Sequence, residues 1–224
     1  MNIIAFAPKV GTAKKKYDYR SFQGWARKFL KYHDQPSENL VIIDNTKRPR
    51  AMRAQVIRAL KAAGEPDVVA LFCHGTPRKI QLGFNRYTLK SLAEVLAWRC
   101  DVRVVLYACL AGKGPGPGGD RGFADEIRDA ICRAGGRYCR VIAHTTKGRA
   151  DKNPFCRSFD GEGSSTGGTG GYYLVNRTLL DERGRKVRNP LWPVWVKALA
   201  GDMRWELPCL SREEIHEKLQ GGTR

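Results

Sequence analysis

A cysteine and a histidine held side by side can transfer an acyl group. The thiolate attacks a carbonyl carbon and the imidazole moves the proton. In this chain His74 and Cys109 each follow an apolar run. Val68-Val69-Ala70-Leu71-Phe72-Cys73 leads into His74-Gly75, and Val102-Arg103-Val104-Val105-Leu106-Tyr107 leads into Ala108-Cys109. Both runs are rich in β-branched and aromatic residues and short enough to be buried strands. Residues 88–98 between them read as a helix. Strand, helix, strand makes a βαβ unit, with parallel strands if they share a sheet. His74 and Cys109 would then lie at the carboxyl edge of neighbouring strands, the edge where open α/β sheets bind ligands.

Other elements must frame that unit. Residues 3–6 read as a strand and 14–19 as a basic loop. Phe22, Trp25, Ala26, Phe29, Leu30 and His33 recur at helical spacing, so 21–33 reads as an amphipathic helix that Ser21 can cap. Residues 40–43 form a strand and 51–63 a helix stopped by Gly64. Ser91 and Glu94 match a capping box inside the 88–98 helix, which would start it a turn later. After Cys109 a Gly- and Pro-rich loop, 111–120, is expected to flex over the cleft as a lid. A helix over 123–134 and a strand over 138–144, parallel to the first two, complete the core.

Residues 160–171 read Asp-Gly-Glu-Gly-Ser-Ser-Thr-Gly-Gly-Thr-Gly-Gly, a flexible loop or linker. A hairpin is expected from 172–180 and 186–187, then helical segments at 192–200 and 211–219. The expected fold is α/β, a three-layer α/β/α sandwich on a mostly parallel sheet of four or five strands, with a C-terminal hairpin and helical extension. The expected division is a core over 1–159, the Gly/Ser-rich loop over 160–171, and an extension over 172–224 packed on the same domain.

Composition narrows the partners. The chain has 224 residues, with 40 Lys and Arg against 22 Asp and Glu, a net charge of +18. Such an excess favours an acidic partner or nucleic acid. The densest basic runs are Lys14-Lys15-Lys16 and Lys47-Arg48-Pro49-Arg50, without zinc-finger spacing or an RNA-binding aromatic signature. No run approaches the roughly 20 apolar residues of a membrane span, so no membrane partner is expected. Residues 1–8 do not read as a signal peptide, and a cytoplasmic location is expected. The seven cysteines are odd in number and lack short Cys-x2–4-Cys spacing, so free thiols and no metal site are expected. Cys73 should point to the opposite strand face from its neighbour His74 and belong to the core, as should Cys100.

The pattern of an apolar strand ending in His-Gly, then one ending in Ala-Cys, resembles the caspase-like cysteine peptidases: caspases, metacaspases, gingipains, clostripain, separase and the bacterial CHAT-domain proteins. The resemblance covers roughly residues 40–153, and the two residues lie 35 apart. Around the cysteine the chain reads Tyr107-Ala108-Cys109-Leu110-Ala111-Gly112, and only Ala-Cys keeps register with the caspase signature. The resemblance therefore implies the broad group, and specificity for Asp does not carry over. It implies a cofactor-free cysteine endopeptidase acting on a peptide or protein; the compact single-domain plan and the absence of a signal fit a bacterial or phage setting. Cys109 would be the nucleophile and His74 its partner. The backbone N–H groups of Gly75 and Cys109 would form the oxyanion hole.

Tyr107, His144, Arg149 and Asp151 are the candidate substrate-binding residues. His144 would line the pocket or replace His74 as base. Asp151 would favour Lys or Arg before the scissile bond, and Arg149 or Lys152 an acidic residue, so both signs stay open. Two other readings stand beside the peptidase: an inactive caspase-like fold binding nucleic acid or an acidic protein through its basic surface, and an acyl transferase using the same dyad. Gly163-Ser164-Ser165-Thr166-Gly167 copies a hydrolase motif that needs a strand before it and a helix after it, but here it is expected to lie in a glycine-rich loop.

Overall fold

The computed structural model describes residues 1–9, 18–99, 101–149, 152–161, 164–167, 178–181, 183, 185–189, 192–193 and 217. Strands β1 (Ile3–Pro8), β2 (Leu40–Ile43) and β3 (Val68–Phe72) come first. A small hairpin, β4 (Gly75–Thr76) and β5 (Lys79–Ile80), follows. Then come β6 (Arg103–Tyr107), β7 (Arg140–His144), β8 (Cys156–Asp160) and β9 (Ser164–Gly167). Strands β10 (Thr178–Leu180) and β11 (Lys186–Arg188) pair antiparallel. The helices are α1 (Asp18–Tyr32), α2 (Pro49–Ala62), α3 (Lys90–Leu96) and α4 (Phe123–Arg133).

Among the described residues the main sheet has seven strands in the order β2-β1-β3-β6-β7-β8-β9. The first five in that order are parallel, whereas β8 runs antiparallel to β7 and β9 to β8. Every residue of β1 and β3 is buried, as expected of parallel strands covered on both faces. One face packs Met52, Val56 and Leu60 of α2, Leu92 and Leu96 of α3, and Ile127 and Ile131 of α4. The other packs Phe22, Ala26, Phe29 and Leu30 of α1, with Leu179 of β10 in the same cluster. The chain leaves β1 toward β2 on one side and β3 on the other. The carboxyl ends of β1 and β3 therefore flank the crevice where such sheets bind ligands.

Several sequence expectations change. The sheet is longer than four or five strands, because β8 and β9 lack the apolar run by which a strand is read. Residues 164–167, expected within a flexible loop, pair with β8 at the sheet edge. Helix α1 starts at Asp18, so Ser21 lies within it and residues 18 and 19 are not loop. The Ser91–Glu94 box caps nothing: α3 begins at Lys90 with Leu89 as its N-cap, and no side chain bonds there. The segments at 172–177 and 194–200, most of 211–219, Cys100 and Asp151 lie outside the described residues.

The glycine-rich loop after Cys109 is not an open flap. Its backbone folds on itself through hydrogen bonds from Gly116 N to Asp120 O (3.1 Å), Asp120 N to Pro117 O (3.1 Å) and Gly122 N to Gly119 O (3.1 Å). A Cβ on Gly114 would sit 2.0 Å from the Gly119 carbonyl oxygen. These glycines are required by close backbone contact rather than by flexibility.

Candidate active site

Register brings the two candidate residues together. Val68 to Phe72 of β3 pair with Arg103 to Tyr107 of β6, ending on Phe72 opposite Tyr107. Cys73 N still donates to Tyr107 O at 3.4 Å. Two residues beyond the last pair stand His74 and Cys109, on adjacent parallel strands at the carboxyl edge. Alternation sends both toward the α1 face, since Phe72 and Tyr107 belong to that cluster. The His74 ring accordingly meets Phe22 of α1 edge to face, at 4.9 Å between centroids. Cys73, between them, faces the opposite core, and burial pushes its thiol up to about 12.

Gly75 is pressed against the end of β6. A Cβ there would lie 2.7 Å from Ala108 Cβ and 2.9 Å from the Cys109 carbonyl oxygen. Gln81 clamps the preceding residue. Its backbone N–H donates to His74 O at 2.9 Å, and its side-chain oxygen accepts His74 N–H at 3.3 Å. Sequence patterning does not reveal Gln81, because its role is set by the fold of the β4–β5 hairpin.

Cys109 is half-buried, and its thiol donates to the Gly148 carbonyl at 3.3 Å. That carbonyl belongs to the loop between β7 and β8, which also holds the turn after Cys109. Leu110 N donates to Thr146 O at 3.3 Å and Gly112 N to His144 O at 2.9 Å. Leu110 adopts the left-handed region with φ 61°, so the chain turns sharply right after the cysteine.

Asn153, 2% exposed, organises this loop. Its side-chain oxygen accepts Thr146 Oγ1 at 3.0 Å and Phe155 N at 3.1 Å, and its amide donates to Thr146 O at 3.2 Å. Gly148 packs on it, since an added Cβ would lie 3.1 Å from Asn153 Cβ. Replacing Asn153 with alanine is expected to cost about 2 kcal/mol by stranding buried partners, read as a lower denaturant midpoint. It should also speed alkylation of Cys109 by loosening the Gly148 contact. Unchanged values of both would refute the clamp.

The candidate substrate-binding residues fall in different places. Tyr107 is buried, stacked on Phe72 at 4.2 Å and 8° between planes. Its hydroxyl has no hydrogen-bond partner among the described residues, and burial holds its pKa well above the usual value. His144 lies beside it, 5.8 Å between ring centroids, and is 4% exposed. Burial lowers the His144 pKa to about 4, against a hydrogen bond with the Phe155 backbone that raises it. The ring is therefore neutral at physiological pH and belongs to the aromatic core. Arg149 is exposed, with its guanidinium 5.8 Å from the Trp25 ring centroid of α1. Trp25 was legible as one member of the helical stripe, not as a wall of the site. Asp151 lies outside the described residues.

Among the described residues no group of three or more His, Cys, Asp or Glu is placed to hold a metal ion. No described helix is long and apolar enough to cross a membrane. No protein-family model matches the sequence, and a search of curated proteins finds no match.

Proposed function

We propose that the chain is a cysteine endopeptidase of the caspase-like group, with Cys109 as nucleophile and His74 as its acid and base. The reading is carried by one juxtaposition: His74 and Cys109 stand at the same register on neighbouring parallel strands, with Gly75 packed on the Cys109 carbonyl. In this reaction the thiol proton passes to His74 as Sγ bonds to the substrate carbonyl carbon. Backbone N–H groups of Gly75 and Cys109 receive the charge that develops on the oxygen. The C–N bond then breaks and His74 gives its proton to the departing amine. Water, deprotonated by His74, hydrolyses the thioester and returns the thiol. Before the first step the thiol must turn from Gly148 O toward His74. Arg149 beside Trp25 would attract an acidic residue before the scissile bond.

The test is labelling with a library of peptide acyloxymethyl ketones, mapped by mass spectrometry. Label is expected on Cys109 and absent from Cys109→Ala. In His74→Ala it should fall by about two to four orders of magnitude in rate. Cys73, Cys139 and Cys156 are buried, and Cys73 and Cys139 are each pushed up to about 12, so they should stay unlabelled. Equal labelling of Cys109 and Cys132, both half-buried, would sink the reading. The alternative, an inactive fold used for binding, is favoured by the resting hydrogen bond of the thiol to Gly148. Failure of Cys109 to react with any peptide probe would select it.

A further inference from the structure

A groove of about 450 Å³ opens directly beside His74 and Gly75. That volume is within the range of small-ligand pockets. Pro49 and Met52 of α2 form one side, and Ile80 and Phe84 contribute apolar surface. Lys79 and Asn85 stand among the remaining lining residues.

The surroundings are cationic. Residues 45–93 hold ten Lys and Arg against two acids, Glu65 and Asp67. Both acids precede β3, at the opposite edge of the sheet from the groove. Around the groove, Arg48 and Arg50 flank Pro49, Arg78 precedes Lys79, and Arg86 follows Asn85. All five of these basic side chains, Lys79 included, are exposed. Among the described residues none of them pairs with a carboxylate. Arg48 and Arg50 also sit at the start of α2, whose first turn has no acid and no side-chain cap. Cations there add to the positive end of the helix dipole, so the local field favours an anion.

We infer that this groove receives the leaving-group side of the substrate, an acidic peptide segment carrying an apolar side chain. The assignment to the leaving-group side rests on the peptidase reading above. His74 must lie next to the amine it protonates; His74 and Gly75 line the groove on its α2 side while the His74 ring meets Phe22 on the α1 side, so the segment after the scissile bond would cross His74 to enter the groove. The apolar lining suits an aliphatic or aromatic side chain, and the unpaired arginines suit flanking carboxylates. Nucleic acid fits less well: of the two rings among the described lining residues, Phe84 is 1% exposed and the His74 ring is already packed edge to face on Phe22, so neither offers an open face for a base to stack on.

The test measures binding by fluorescence anisotropy in full-length Cys109→Ala, which needs no catalysis. The probes are a fluorescein-labelled Glu-Glu-Leu-Asp-Glu peptide, its Leu-to-Ser and Glu-to-Lys analogues, and a single-stranded oligonucleotide. Arg50→Glu with Lys79→Glu should weaken the acidic leucine peptide at least tenfold. The exposed control pair, Arg133→Glu with Arg137→Glu, should leave it unchanged. The serine peptide should bind several-fold more weakly, and the lysine peptide not at all. Equal weakening by both variant pairs, indifference to the leucine, or preference for the oligonucleotide would overturn the inference in favour of a general polyanion surface. Absence of peptide binding would overturn it as well. Electrophile labelling of Cys109 is read separately in the wild type. Peptide binding without labelling removes the enzyme and the leaving-group assignment but keeps the acidic-peptide site, whereas labelling without binding does the reverse.

Discussion

On the proposed peptidase reading, replacing Gly75 with alanine should lower kcat/KM on a peptide substrate by about two to three orders of magnitude, the usual effect of losing an oxyanion donor. The cause is steric. Gly75 has no positive φ, so alanine suits the backbone there. The new Cβ, however, would lie 2.7 Å from Ala108 Cβ and 2.9 Å from Cys109 O. Both obstacles directly follow β6, a strand in the middle of the sheet, whereas β4 belongs to a two-strand hairpin with Thr76 and Lys79 exposed. The hairpin must yield, which draws the Gly75 N–H away from the cleft. Thermal stability should fall little by comparison. Alkylation of Cys109 by iodoacetamide passes through no oxyanion, so its rate should persist. A variant that keeps full peptidase activity would remove Gly75 from the mechanism. One that loses alkylation in parallel would mean that Cys109 itself had moved.

The second large effect concerns acid. His144 is buried, and its pKa is lowered to about 4 from an ordinary 6.5. The unfolded chain therefore binds a proton more readily than the folded one between these values. Stability from this group is fully present above pH 6.5 and is lost as the pH falls toward 4. The span corresponds to about 3 kcal/mol. Denaturant unfolding across this range should show the loss in the wild type and a flatter profile in His144→Gln, which cannot gain the charge. Asp44 and Asp181 also have lowered values, each held down chiefly by hydrogen bonds, from Thr46 and from the Arg185 backbone respectively. Their contributions vanish only below the ordinary carboxylate range near 3.8, outside this window. Parallel profiles for wild type and variant would show that burial does not govern His144.

Much of this arrangement is written locally in the chain. The β-branched runs before His74 and Cys109 form parallel neighbours because each is apolar throughout, which a strand buried on both faces requires. The stripe of Phe22, Ala26, Phe29 and Leu30 fits one helix face against the sheet. What escaped the sequence depends on partners far along the chain. Strand β8 reads Cys-Arg-Ser-Phe-Asp and β9 reads Ser-Ser-Thr-Gly, polar sequences that become strands because β7 offers an edge to β8 and β8 in turn offers one to β9. Gln81 and Asn153 are ordinary polar residues until the fold sets them against His74 and Thr146. Tyr107 lies two positions before Cys109, where it was a candidate for contact with substrate. Its ring instead stacks on Phe72, since parallel pairing sets those two residues directly opposite.

The tightly folded glycine segment after Cys109 has a practical consequence for engineering. By composition, residues 112–119 look like an ideal place for an affinity tag, a fluorescent insertion or a new terminus. The geometry argues against all three. An added side chain at Gly112 would meet the Ala143 carbonyl oxygen at 2.6 Å, and one at Gly119 would meet Gly112 O at 2.7 Å. Cutting or lengthening this stretch would pull on β7 and on the cysteine together, so a permissive site should be sought elsewhere on the surface.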